Sequence, residues 1–328
     1  MEASEHLSDV GEFGLLARIL PRLPQHEQVL VGPGDDAAVL DVGGVRVLAC
    51  TDVLVEGTHF RRDWSSAHDV GRKAAAVTLA DIAAMGGRPT ALLAGVTAPA
   101  DLEPRWLVEM AEGMRDEAAP LGCSVVGGDL VAGPQVSISV AGVGVTDDDP
   151  VTRSGASPGD VVAVCGRLGW ASAGLAVLQR GFRSPRALVD AHRRPEPVYD
   201  AGPEAARLGA TALIDVSDGL LADVGHLAEQ SHVAIVLDAT RVPVDPTLAQ
   251  MAHGLGADVR DWVFGGGEDH ALVGCFPSQT VLPERWVLIG TVRPGEGVSV
   301  EGWDESDRPT VAGAGGYQHF GGGTTQPT

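Results

Sequence analysis

Lysine is almost absent from this chain: Lys73 stands alone, and arginine supplies every other basic side chain. Against 23 Lys and Arg there are 44 Asp and Glu, a formal net charge of −21 at pH 7. That balance excludes a basic footprint for nucleic acid and gives no attraction to anionic membranes. An anionic ligand would have to be held through cations. No GxxxxGK[ST] occurs, so no Walker-type loop cradles phosphate. The four cysteines, Cys50, Cys123, Cys165 and Cys275, are widely separated, and no CxxC is present. They read as small buried hydrophobes in a reducing compartment. No apolar run is long enough to span a bilayer, and residues 1–13 lack the basic and apolar regions of a signal peptide. A cytoplasmic protein with neither a membrane nor a nucleic-acid partner is expected.

What the chain does have is length for a sizeable core, 328 residues with 44% hydrophobic and 20% charged, which predicts two domains. It also has crowded carboxylates. Asp35 and Asp36 follow Gly32-Pro33-Gly34, and Asp52 follows the β-like run from Val45. Carboxylates held close together must protonate, pair with cations or bind metal.

Periodicity gives a mixed α/β order. Apolar spacing predicts helices over 11–23, 69–87, 104–121, 170–180, 186–193, 203–208 and from 219 to about 230. Strands are predicted over 45–51, 91–97, 124–126, 135–145, 161–165, 212–215, 233–238 and 286–292. The 45–51 strand would deliver Asp52 at its end, and 91–97 reads as a buried strand. Asp147-Asp148-Asp149-Pro150 punctuates the chain, dividing it into domains over 1–150 and 151–320 with a disordered tail over 321–328.

Each acid has two readings. Asp35 and Asp36 fit an Asx-type turn or a metal cradle. Asp81 falls on the apolar face of its helix, four residues after Val77, where a carboxylate needs a partner. Asp129 follows Gly127-Gly128, a place where backbone approaches phosphate or a hairpin turns. Asp215 and Asp218 flank a strand-to-helix junction, where Ser217 or Asp218 caps the helix or an acid ligates. Gly265-Gly266-Gly267-Glu268-Asp269 adds a loop with two more acids, solvated or functional. His59 and His270 adjoin these sites. An oxygen-only donor set suits Mg²⁺ or a similar hard cation and not zinc.

Seven ordered stretches together resemble the thiamine-monophosphate kinase family, within the aminoimidazole-ribonucleotide-synthetase-like superfamily of PurM-like fold. They are Gly34-Asp35-Asp36-Ala37-Ala38, Thr51 to Phe60, Asp81 to Gly86, Gly127-Gly128-Asp129, Arg153 to Ala156, Ile214 to Leu220 and Gly266-Gly267-Glu268-Asp269. The resemblance implies ATP-dependent phosphorylation of thiamine monophosphate to thiamine diphosphate. It also implies a homodimer whose N-terminal sheets form a barrel, with a second α/β domain closing on each. Asp36, Thr51, Asp52, Asp81, Asp129, Asp215 and Asp218 resemble magnesium ligands, with Asp129, Asp81 and Asp218 at the catalytic centre. Gly128, Asp129, Arg153 and Ser217 resemble nucleotide contacts; His59, Glu268 and Tyr317 resemble substrate contacts. Arg153 and Lys73 are expected to supply positive charge for the phosphates. One departure is His270-Ala271-Leu272 where relatives often read Tyr-Glu-Leu. The absence of any cysteine before Cys50 weighs against a selenophosphate synthetase, and a non-catalytic module binding metal or nucleotide is the alternative from another class.

Overall fold

A computed structural model of the chain describes residues 10–302. In it α1 (Glu12–Ile19) precedes two six-stranded sheets that divide the sequence. The first holds β1 (Val29–Val31), β2 (Ala38–Val42), β3 (Val45–Val55), β4 (Arg88–Ala98), β5 (Ser124–Ala132) and β6 (Ser137–Thr146), ordered β1-β2-β3-β6-β4-β5. The β4–β5 pair is parallel and the others antiparallel. Parallel neighbours need a crossover, supplied by α3 (Pro104–Ala118), which begins with Pro in its first turn.

Along β6 alternate residues are buried, Ile138 and Val140 among them, while Ser137 and Ser139 face outward. The buried face packs against α2 (Ala67–Ala84) and, beyond it, α3. A reciprocal capping box between Ser66 and Asp69 starts α2, and Gly86 follows its end at φ 74°. The opposite face of the sheet has no covering helix among the described residues, and Val53, Leu93 and Val131 stand exposed on it.

The second sheet holds β7 (Val161–Cys165), β8 (Ala212–Asp215), β9 (Ala234–Asp238), β10 (Leu272–Phe276), β11 (Val287–Arg293) and β12 (Gly297–Glu301), ordered β12-β9-β11-β7-β10-β8. Strands β7, β8 and β10 are buried almost throughout. On one side lie α4 (Trp170–Gln179), α7 (Leu220–Ser231), α8 (Pro246–Leu255) and α9 (Val259–Gly265); α5 (Arg186–Arg193) packs on α4. The other side receives α6 (Ala201–Arg207) and the C-terminal end of α2, where Ala84 joins a core with Ala201, Leu213 and Phe276. So α2 serves both sheets. Gly202 permits the approach of α6, since a Cβ there would lie 1.8 Å from the Ala83 carbonyl oxygen.

Four expectations need correction. Strand β3 continues to Val55, so Asp52 lies inside it opposite Val140 and not at its end; Val53-Leu54-Val55 carries on the same alternation. Strand β4 is buried on one face only, with Leu93 exposed. The strand at Ser124 does not stop at Gly127-Gly128 but runs through Asp129 to Ala132. The glycine at 128 serves pairing, because a Cβ there would stand 2.0 Å from the Ala94 carbonyl oxygen. Finally, Ser217 and Asp218 do not cap α7: Gly219 is the capping residue and has no side chain to offer. The 1–9 segment, the 321–328 tail and Tyr317 lie outside the described residues.

Candidate active site

Four elements from both sheets converge on one acidic centre. Asp36 comes from the turn before β2, Asp52 from within β3, Asp81 from the last turn of α2, and Asp215 from the end of β8. Carboxylate oxygens of Asp36, Asp81 and Asp215 lie within 4.8 Å of one another, and Cys50, Asp52 and Asp81 form an overlapping group of the same tightness. Asp36 and Asp215 are buried, Asp52 and Asp81 half-buried.

Two basic side chains answer these acids. Arg153 donates to Asp36 Oδ1 at 2.6 Å, and its backbone N–H donates to Asp35 Oδ1 at 2.6 Å. His270 Nδ1 lies 2.7 Å from Asp215 Oδ2. That leaves the centre short of positive charge. Burial pushes the Asp36 carboxyl up to about 7, against the pull of Arg153 and with a further push from Asp215. Burial, then Asp52, Asp215 and Asp36, drive Asp81 well above the usual carboxylate range; burial likewise raises Asp52. Asp36 Oδ2 and Asp52 Oδ2 are buried with no hydrogen-bond partner. Buried carboxylate oxygens without donors cost stability unless a proton or a cation satisfies them.

A second group lies alongside, where Asp218, Asp223 and His226 bring ligand atoms within 4.8 Å of one another. Asp223 accepts from the backbone N–H groups of Asp218 and Gly219 at 3.1 and 2.9 Å, so this side chain reaches back to the start of α7. Burial, then Asp215 and Asp218, raise its pKa well above the ordinary value. The glycine-rich loop is not solvated. Glu268 N–H donates to the Ser217 carbonyl at 2.9 Å and His270 N–H to the Val216 carbonyl at 3.0 Å. Glu268 and His270 hold left-handed φ of 67° and 53°, a conformation that costs a non-glycine residue roughly 1–2 kcal/mol. Asp269 Oδ1 accepts from Ala171 N at 2.9 Å, at the start of α4, and burial pushes this carboxyl up to about 7.

On the far side of the loop, Lys73 Nζ donates to Glu268 Oε1 at 2.7 Å and to the His59 carbonyl at 2.9 Å. Lys73 is therefore engaged away from the acidic centre, and Arg153 alone of the two faces it. His59 Nδ1 accepts from Val55 N–H at 3.0 Å. His192 Nδ1 stands 3.5 Å from Glu268 Oε2, and its ring packs edge-on to Trp64 with centroids 6.3 Å apart. Burial works to raise the Glu268 pKa, but Lys73 and then His192 outweigh it and hold the carboxyl at about 2. Burial and the Lys73 charge depress His192 to about 4.

The structure thus assembles Asp36, Asp52, Asp81, Asp215 and Arg153, sets Ser217 and Asp218 beside them in sequence, and joins His59 to Glu268 through Lys73. Thr51 points to the opposite face of β3 from Asp52, as successive strand residues do, and its hydroxyl donates to the Val140 carbonyl at 3.1 Å. Gly128 and Asp129 stand on β5; Asp129 accepts from Leu130 N–H at 3.0 Å and lines a cavity of about 220 Å³ with Ser137 and Ser139. Neither acidic group includes Asp129. Asp223 and His192 escaped the sequence reading. Their signal is modest: each sits on the buried face of an amphipathic helix, Asp223 beside Leu220, Val224 and Leu227, His192 four residues after Leu188.

Residues 34–146 match the model of the AIR synthase related protein N-terminal domain, and 157–262 that of the C-terminal domain. A thiamine-monophosphate kinase of Mycobacterium tuberculosis is 44% identical over 97% of this chain and 94% of its own length. That of Aquifex aeolicus is 35% identical over 96% and 99%. The solved structure of AaThiL complexed with AMPPCP and TMP superposes with a TM-score of 0.88 at 33% identity, covering 97% of this chain and 100% of that one. These matches run over nearly the whole chain, both sheets included, and the chain belongs to the thiamine-monophosphate kinase family.

Proposed function

We propose that this chain transfers the γ-phosphoryl group of ATP to thiamine monophosphate, giving thiamine diphosphate and ADP. The observation that carries the reading is the convergence of Asp36, Asp52, Asp81 and Asp215 on one centre with two buried, unpartnered carboxylate oxygens, in a chain whose relatives bear that name. The donors are all oxygen, which fits Mg²⁺. Those four residues would hold it, with Asp218 at the neighbouring group; Thr51 and Asp129 stand outside both sets. When bound, Mg²⁺ supplies the positive charge that lets two polyanions meet.

The chain's own residues divide the remaining work. Arg153, steadied by Asp35 and Asp36, presents a fixed guanidinium at the edge of the centre for phosphate. Gly128 and Asp129 on β5 and Ser217 beside Glu268 are our nucleotide contacts. Glu268 and His59, with Tyr317, serve the acceptor. The acceptor is a phosphate monoester whose second pKa is about 6, so it arrives largely ionised and needs no strong general base. We read catalysis as direct transfer by positioning and electrostatics with no phospho-enzyme. Residues 1–150 and 151–320 act as the two domains, in the cytoplasm. The exposed apolar face of the first sheet, with β5 as its open edge, supports a homodimer closed through that sheet.

Purified protein incubated with ATP, Mg²⁺ and thiamine monophosphate should form thiamine diphosphate and ADP in equal amounts, abolished by EDTA. ADP without thiamine diphosphate would assign another acceptor, and nucleotide binding without ADP would make the protein a binding module.

A further inference from the structure

The lone lysine stands where two distant stretches of the acceptor side meet. It stands on a buried side of α2 and is 2% exposed, so its ammonium is shut away from any ligand. Its partner Glu268 has a side chain 33% exposed. The pair is therefore asymmetric, with a hidden cation behind a carboxylate that looks outward. The same ammonium binds the carbonyl of His59, 14 residues before it, and Glu268, 195 residues after it. His192 closes the third side of that carboxylate.

We propose that Lys73 is a positioning residue of the acceptor site, which fixes the Glu268 carboxylate and the His59 turn as a joint receptor for the cationic ring of the acceptor. The inference rests on the reaction proposed above. Thiamine monophosphate carries a permanent positive charge on its thiazolium ring. A carboxylate kept ionised from behind and open in front is the complementary group. Lys73 touches neither substrate; it acts through Glu268 and His59. An ammonium in this position also explains why Glu268 keeps its left-handed backbone, since moving the loop would leave a buried charge unpaired. Burying a lysine where nothing solvates it has little use in a plain core packing role, which Met or Leu fills at lower cost.

A chain with one lysine offers a direct test. Lysine labelled with ¹³C at Cε gives a single side-chain resonance from the whole protein. We expect that resonance to move on adding thiamine monophosphate and to stay in place on adding AMPPCP alone. In steady-state assays Lys73→Met should raise the KM for thiamine monophosphate by about tenfold or more while the KM for ATP stays within about twofold. An unmoved resonance at saturating thiamine monophosphate overturns the inference, as does a variant that shifts both KM values alike or loses only thermal stability. If Lys73→Met does not fold, the wild-type resonance decides alone. A wild type that turns over thiamine monophosphate with an unmoved resonance defeats this inference and spares the reaction; a wild type with no turnover defeats the reaction on which it rests.

Discussion

At Asp81 the carboxyl sits among Asp52, Asp215 and Asp36 in half-buried surroundings, and each neighbour resists its ionisation. Without metal, that crowding destabilises the fold above the ordinary carboxylate pKa, so Asp81→Asn should raise the melting temperature of the metal-free protein at pH 7. The same change should shrink the melting-temperature gain that Mg²⁺ produces and lower kcat by about 100-fold or more. Differential scanning fluorimetry with and without Mg²⁺, beside initial rates, checks both. His192 has the opposite visibility, a neutral imidazole whose pKa is depressed to about 4. The unfolded chain takes up its proton near pH 6.5 and the folded one only near 4, so this stability is complete above 6.5 and lost as pH falls through that window. Wild type should lose on the order of 1 kcal/mol per pH unit there from this group, and His192→Phe should flatten that slope in urea melts at stepped pH. The acids of the centre were legible in the sequence because each sits at a junction or on an apolar face where a carboxylate is out of place. His192 was not, because one histidine on a helix says nothing until Glu268 and Lys73 are brought to it.

At the scale of elements, alternation revealed β6 and helical spacing revealed α3 because each buries one face against a single neighbouring layer; β7 and α2, buried on both sides, showed instead as a short apolar run and a long helical one. Strand β5 misled for a physical reason: two glycines look like a turn, yet a strand that pairs with β4 alone keeps Gly128 for fit against the Ala94 carbonyl. Gly128→Ala should cost about 1–3 kcal/mol through that contact, read as a lower urea midpoint with an unchanged slope. Strands β10 and β12 and helices α8 and α9 went unread. Helix α8 does carry its signals, Asp245 accepting from Thr247 N–H, Pro246 at its first position and left-handed Gly256 at its end, but they sit in a stretch whose apolar spacing is diluted by glycine, histidine and alanine. The register of β10 between β7 and β8 depends on partners far away in the chain, which no local pattern encodes.

For the molecule as a whole, the formal charge of −21 makes cation binding and self-association mutually dependent matters of electrostatics. The uncovered face of the first sheet predicts that Val131→Asp, which adds charge beside outward-facing Thr97 and Ser137, shifts a dimer toward monomer in sedimentation velocity. A single species of unchanged mass in both proteins would remove that face as the interface. The two-sheet plan was legible from the break at Asp147 to Pro150, whereas the sharing of one helix by both sheets was not, since helix periodicity reports a buried stripe and not the identity of what covers it. That helix has a metric consequence. Lys73 and Asp81 lie eight residues apart on α2, about 12 Å at 1.5 Å per residue. One end of this rigid span anchors the residues assigned to the acceptor's ring, and the other carries the centre assigned to its phosphate. Analogues with one methylene more or fewer between ring and phosphate should lose kcat/KM, and equal values would deny the span any such role. Helix α2 then works as a ruler, with selectivity written in the length of the acceptor as well as in its charge.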